Sequence, residues 1–222
     1  MRFIPFPTAT GCIVLVSSTV SAWGGLEYVN QNRGLTAATY TGGEDQDQAI
    51  FAPDYGAFDA SLEVVGNDPS DFETGYARAE QHSLLLPMEL RVSQQAVYGS
   101  LGAAWAHFEV SFLLSETMTY RLTYTPTGGS IKLSEGVSSG IAEGLPDGTP
   151  LDGTLQPGMY TLKVNLMAVT DGIGGGTGSQ QVEAALKFAE IPSIPTPAAS
   201  SLFLATAGSI GVVWAVRKRR AA

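Results

Sequence analysis

The sequence predicts an all-β domain, an antiparallel β-sandwich of jelly-roll or Ig-like type, set between an N-terminal signal peptide and a C-terminal transmembrane helix. Three features lead to this reading. Apolar and polar residues alternate through long stretches after Gln81, no helical period extends beyond the two ends, and each end joins an apolar run to basic residues. Alternation at period two marks a strand with one buried face, and such strands become stable when one sheet packs on another.

Residues 1–22 read as an export signal. Arg2 gives the positive start, residues 11–16 a short apolar centre, and Val20, Ser21 and Ala22 a small-residue cleavage site, which puts the cut between Ala22 and Trp23. A lipoprotein site at Cys12 is the alternative, but no apolar stretch precedes Cys12 and Ala9 stands where such sites carry Leu. Cys12 is the only cysteine, so the processed chain has none, which excludes disulfides, cysteine metal sites and cysteine nucleophiles. The remaining stretch of about 175 residues must fold on apolar burial alone, and it is long enough to do so.

Residues 23–190 form the expected exported domain. Within it, residues 23–80 have weak periodicity and many Gly, Asp and Asn residues, and read as short strands joined by long loops. Leu84, Leu86, Met88, Leu90 and Val92 then share one parity of a strand that Pro87 directs to an edge. Ala104, Ala106, Phe108, Val110 and Phe112 oppose His107, Glu109 and Ser111, and Met118, Tyr120, Leu122 and Tyr124 oppose Thr119, Arg121 and Thr123. Residues 125–130 turn into Ile131, Lys132 and Leu133. Residues 136–158, with two Asp-Gly pairs and three prolines, read as loop with one short strand. Tyr160, Leu162, Val164 and Leu166 point inward on the next strand, and Val182, Ala184, Leu186 and Phe188 on the last. The Gly-rich residues 172–178 between these two make them an antiparallel hairpin.

Residues 191–197 are a linker, 198–216 an uncharged run and 217–222 a basic tail. The run of 19 residues extends about 29 Å as a helix, close to a hydrocarbon core of about 30 Å, and a helix satisfies its own backbone in lipid. Arg217, Lys218, Arg219 and Arg220 hold the C-terminus on the cytoplasmic side, so the preceding domain lies outside. The alternatives are a buried core helix, which rarely stays uncharged for so long, and an ordinary single-pass anchor. The order of Pro195-Thr196-Pro197, apolar run and terminal basic cluster resembles the PEP-CTERM sorting signal of bacterial exported proteins, with Thr196 where that signal has Glu. The resemblance covers residues 195–220. It implies cleavage by a membrane protease of the exosortase type and a setting in which exopolysaccharide is a partner. Anchors cleaved at Leu-Pro-x-Thr-Gly fit less well, since no such motif precedes the run.

All 21 acidic residues lie between Glu27 and Glu190, where only seven basic residues remain once Arg2 and the tail are set aside, a net charge of −14. Such a surface repels phosphate backbones, so nucleic acid is not an expected partner. Gly136-Val137-Ser138-Ser139-Gly140 fits G-x-S-x-G, but both histidines, His82 and His107, precede it, against the chain order of that hydrolase fold. Two histidines without H-E-x-x-H spacing do not make a zinc site. Asp45, Asp47, Asp147 and Asp152 are oxygen donors without the twelve-residue calcium loop, and turn chemistry accounts for the Asp-Gly pairs. Residues 172–178 have neither the Lys nor the helix start of a phosphate loop. Neither metal nor cofactor is expected. Trp105 and His107 share the outward parity of one strand, an arrangement suited to stacking on a sugar unless a loop covers Trp105.

The expected function is that of a non-enzymatic, structural or adhesive protein, anchored in the inner membrane and then sorted to the cell surface or matrix. A carbohydrate-binding module using Trp105 and His107 is the first alternative, and a secreted hydrolase with dispersed carboxylates the second.

Overall fold

A computed structural model describes residues 25–41, 44–66, 75–136, 139–143, 148–170 and 177–191. Ala22 and Trp23, the sorting motif, the apolar run and the basic tail lie outside the described residues. The chain divides into two units at Glu190 and Ile191, and the first carries every described strand. Among the described residues there is no helix, and hence none long and apolar enough to cross a membrane.

Twelve strands are described: β1 (Leu26–Thr41), β2 (Glu44–Phe51), β3 (Phe58–Gly66), β4 (Gly75–Leu86), β5 (Glu89–Tyr98), β6 (Gly102–Leu114), β7 (Met118–Pro126), β8 (Ser130–Glu135), β9 (Ser139–Glu143), β10 (Leu151–Leu155), β11 (Gly158–Val169) and β12 (Gly178–Glu190). They form two six-stranded antiparallel sheets. Sheet A runs β2-β1-β6-β11-β8-β9 and sheet B runs β10-β7-β12-β5-β4-β3. The architecture is all-β and sandwich-like, with one core between the sheets.

The alternating segments build that core. Ala104, Ala106, Phe108, Val110 and Phe112 of β6 are buried, as are Tyr160, Leu162, Val164 and Leu166 of β11. Sheet B answers with Met118, Tyr120, Leu122 and Tyr124 of β7 and Val182, Ala184, Leu186 and Phe188 of β12. Phe112 meets Phe188 edge-on across the core at 5.4 Å and stacks beside Tyr160 at 5.8 Å. Each large apolar side chain taken from water contributes roughly 1.5–3 kcal/mol.

The structure corrects four expectations. Residues 23–80 hold long strands, among them β1 with 16 residues. A bulge at Val29 shifts the register between Tyr28 and Asn30, so the buried parity passes from Leu26 and Tyr28 to Arg33, Leu35 and Ala37 and hides the period. Residues 84–92 are two strands, not one: Leu86 pairs with Glu89 around a Pro87-Met88 turn. Proline has no N–H to give to a ladder and presets the first turn position. His82 therefore lies within β4. Residues 136–158 contain two short strands, β9 pairing with β8 and β10 with β7. Finally, β11 and β12 are no hairpin. β11 pairs with β6 and β8 in sheet A, and β12 with β5 and β7 in sheet B, so the two strands lie in different sheets.

A buried polar chain crosses the apolar core. Arg33, 1 % exposed, donates to Ser83 Oγ (3.1 Å), to the carbonyls of Asp54 (2.5 Å) and Gly56 (2.9 Å), and to Gln31 Oε1 (3.0 Å). Gln81 Nε2 donates to Ser83 Oγ (3.3 Å) and Gln94 Nε2 to Gln81 Oε1 (2.9 Å). Burial pulls the Arg33 guanidinium below its ordinary pKa, opposed chiefly by the Asp54 carboxylate. Burial likewise raises the Tyr28 phenol, whose hydroxyl donates to the Leu86 carbonyl at 2.5 Å.

Candidate functional site

The inward alternation that makes the core sends the opposite parity to two broad outer faces. On the outer face of sheet A, Trp105 and His107 do stand side by side along β6. Trp105 is half-buried, with Thr36 of β1 opposite it on one side and Met167 of β11 on the other. The same face carries several exposed apolar side chains. Phe51 is 64 % and Met167 57 % exposed, and Tyr40 and Val169 are also exposed. Phe51 lies across Gly34, where a Cβ would come within 2.5 Å of its ring. His107 is fixed by Asn165, its Nδ1 standing 2.5 Å from Asn165 Oδ1, and its Nε2 faces Glu109 at 3.6 Å. Lys163 Nζ reaches the same Glu109 at 2.9 Å.

The outer face of sheet B bears a groove of about 720 Å³. Strand register explains it as three parallel rows. The first is Thr125, Glu183, Ser93, His82 and Asp59, one residue from each of β7, β12, β5, β4 and β3. The second is Thr123, Ala185, Arg91 and Leu84, and the third Arg121, Lys187 and Glu89. Ala185 makes the depression, since it is the small residue at the centre of a face of long polar side chains.

Ion pairs organise one wall of this groove. Arg91 clamps Glu89 through Nε (2.6 Å) and Nη2 (2.8 Å), and Lys187 adds a third contact at 3.3 Å. Arg121 holds Asp152 of β10 in the same way, at 2.7 and 2.8 Å. The Arg91 bond keeps the Glu89 carboxyl below its ordinary range, with Lys187 adding to the effect, and Arg121 lowers Asp152. On the other wall, His82 Nδ1 stands 2.8 Å from Asp59 Oδ1. Glu183 accepts from Gln181 at 3.3 Å.

The two histidines are thus on opposite sheets and share no site. Ser138 of the G-x-S-x-G match, Asp147 and residues 171–176 lie outside the described residues. Asp152 is engaged by Arg121 rather than gathered with other oxygen donors. Among the described residues no three His, Cys, Asp or Glu side chains converge as metal ligands. The sheet B groove escaped sequence reasoning. Its outward residues were legible as the polar parity of β5, β7 and β12, but the pairing that lines them up was not. Comparison with protein-family models, curated proteins and solved structures finds no match for this chain.

Proposed function

We propose that the chain is an exported cell-surface or matrix protein whose β domain serves as a non-enzymatic binding scaffold. The observation that carries the reading is that polar and aromatic side chains are spread over two open sheet faces, while the charged groups beside the groove are tied to one another. Asp59, Glu89 and Glu183, the carboxylates that line the groove, sit on three different strands, with His82 and Ser93 between Asp59 and Glu183 in one row and Glu89 in another beside the cations. The terminal sequences support the route: a signal cut between Ala22 and Trp23, a membrane run, and a PEP-CTERM-like Pro195-Thr196-Pro197 motif offered to an exosortase-type protease. Mass spectrometry of the native protein tests the route. The expected product starts at Trp23 and lacks Arg217, Lys218, Arg219 and Arg220, whereas a product retaining them reduces the tail to a plain anchor.

A second reading, carbohydrate recognition on sheet A, is favoured by the half-buried Trp105 ring beside exposed Met167, with exposed Phe51 over Gly34 in the neighbouring row of His107. Aromatic faces of this kind stack on the apolar faces of sugars. Glycan-array binding left unchanged by Trp105→Ala removes it.

A further inference from the structure

We propose that the groove on the outer face of sheet B binds a segment of a neutral glycan, a site distinct from the Trp105 face. The inference rests on reading the domain as a binding scaffold, and names a ligand class for it.

Charge balance selects the ligand. Three of the seven cations outside the tail and Arg2 line this one groove, and they are matched there by Asp59, Glu89 and Glu183. A polyanion would meet those carboxylates and a domain of net charge −14, so it is repelled. A neutral polyol meets donors and acceptors in alternation, and sugar hydroxyls both donate and accept.

The donors are held ready. Arg91 and Arg121 each spend Nε and Nη2 on a carboxylate, and in each the Nη1 edge makes no hydrogen bond among the described residues. Side-on pairing fixes both guanidinium planes before a ligand arrives, which lowers the ordering cost of binding. Opposite them, the hydroxyls of Ser93 and Thr125 make no hydrogen bond among the described residues, and Glu183 has acceptor capacity left. The row from Thr125 to Asp59 crosses five strands, roughly 19 Å at normal strand spacing, room for a short run of sugar rings over Ala185. A protein partner fits less well, since protein interfaces centre on aromatic or large aliphatic anchors, and this floor offers Ala185 and half-buried Leu84, while the Phe58 and Val92 of its lining are buried in the core.

Affinity electrophoresis of the purified full-length protein in detergent tests the site, with an α-glucan, a β-glucan and a mannan as neutral probes and alginate as the acidic one. Retardation by a neutral polymer and not by alginate is expected. Ala185→Trp, which fills the groove from an outward position, should weaken that binding tenfold or more, as should Thr125→Val combined with Glu183→Gln. Lys132→Ala, on sheet A away from the groove, should leave it unchanged, with circular dichroism confirming the fold of each variant. Binding to no neutral polymer, binding to alginate alone, or binding indifferent to both groove variants overturns the proposal. So does capture of a protein that Ala185→Trp releases, when no polysaccharide is retarded. Loss on Trp105→Ala with retention on Ala185→Trp assigns the glycan to sheet A and overturns the groove. Release of reducing ends from the bound polymer, with binding still lost on Ala185→Trp, upholds the groove and instead overturns the non-enzymatic reading.

Discussion

Arg33 of β1 donates to the hydroxyl of Ser83 on β4 at 3.1 Å, joining the two sheets through a cation that is 1 % exposed. Its remaining hydrogen bonds go chiefly to carbonyls of the segment after β2, so the same guanidinium ties that segment to the core. It also lies 5.9 Å over the Phe58 ring.

Removing Arg33 leaves the carbonyls of Asp54 and Gly56 and Gln31 Oε1 without their Arg33 donor, and the Ser83 hydroxyl with Gln81 alone. Arg33→Ala should lower stability by about 3 kcal/mol, read as a fall in the urea midpoint. Arg33→Lys should recover only part of that loss, because one ammonium cannot replace a planar fork. An Arg33→Ala protein as stable as the parent would show that the chain is not held together here.

Phe112 touches both sheets' aromatic side chains and has no exposure. Phe112→Ala should cost about 3–5 kcal/mol through lost burial and the cavity left behind. Denaturant titration measures it, and a loss below about 1 kcal/mol would mean that the site collapses freely.

Two glycines should respond differently to alanine. A Cβ on Gly102 would lie 1.9 Å from the Tyr76 carbonyl oxygen, a backbone atom that cannot turn aside. Gly102→Ala should cost more than about 2 kcal/mol. At Gly34 the nearest obstacle is the exposed Phe51 ring, which can swing outward, so Gly34→Ala should cost less. Thermal melts of the pair give the order directly.

Glu89 sets a pH dependence. Its carboxyl is held below the ordinary range by Arg91 and then Lys187. The stabilisation is fully present above the unfolded-state value, about 4.3, and is lost as pH falls through the lower folded-state value. Its size is below about 1 kcal/mol, since the cluster borders solvent. Glu89→Gln should therefore flatten the decline of stability below about pH 4.3 while leaving the neutral-pH response to acid otherwise alike. An identical acid limb in both proteins would contradict this.

Legibility in the sequence followed the local rules each segment obeys. β6 from Ala104 onward, β7, β11 and β12 could be read because their buried residues keep one parity. β1 could not, because the Val29 bulge switches parity and a buried Arg33 stands where an apolar residue would signal the core. Pro87 carried the information that a turn intervenes, yet the apolar residues on both sides continued the parity across it. The misplaced β11–β12 hairpin has a different origin. Two strands with inward faces look alike whether they pair or oppose one another, so allocation to sheets is not a local property. For the same reason Trp105 and His107 were visible as neighbours along one strand, while the sheet B groove, assembled from five strands, was not.

The most direct test of export is protease treatment of intact and of broken cells, followed by terminal mass analysis of the surviving chain. External protease is expected to reach the β domain in unbroken cells, and the N-terminus of that domain is expected to be Trp23. A chain still starting at Met1, protected until the cells are opened and recovered with the soluble cytosol, would contradict it.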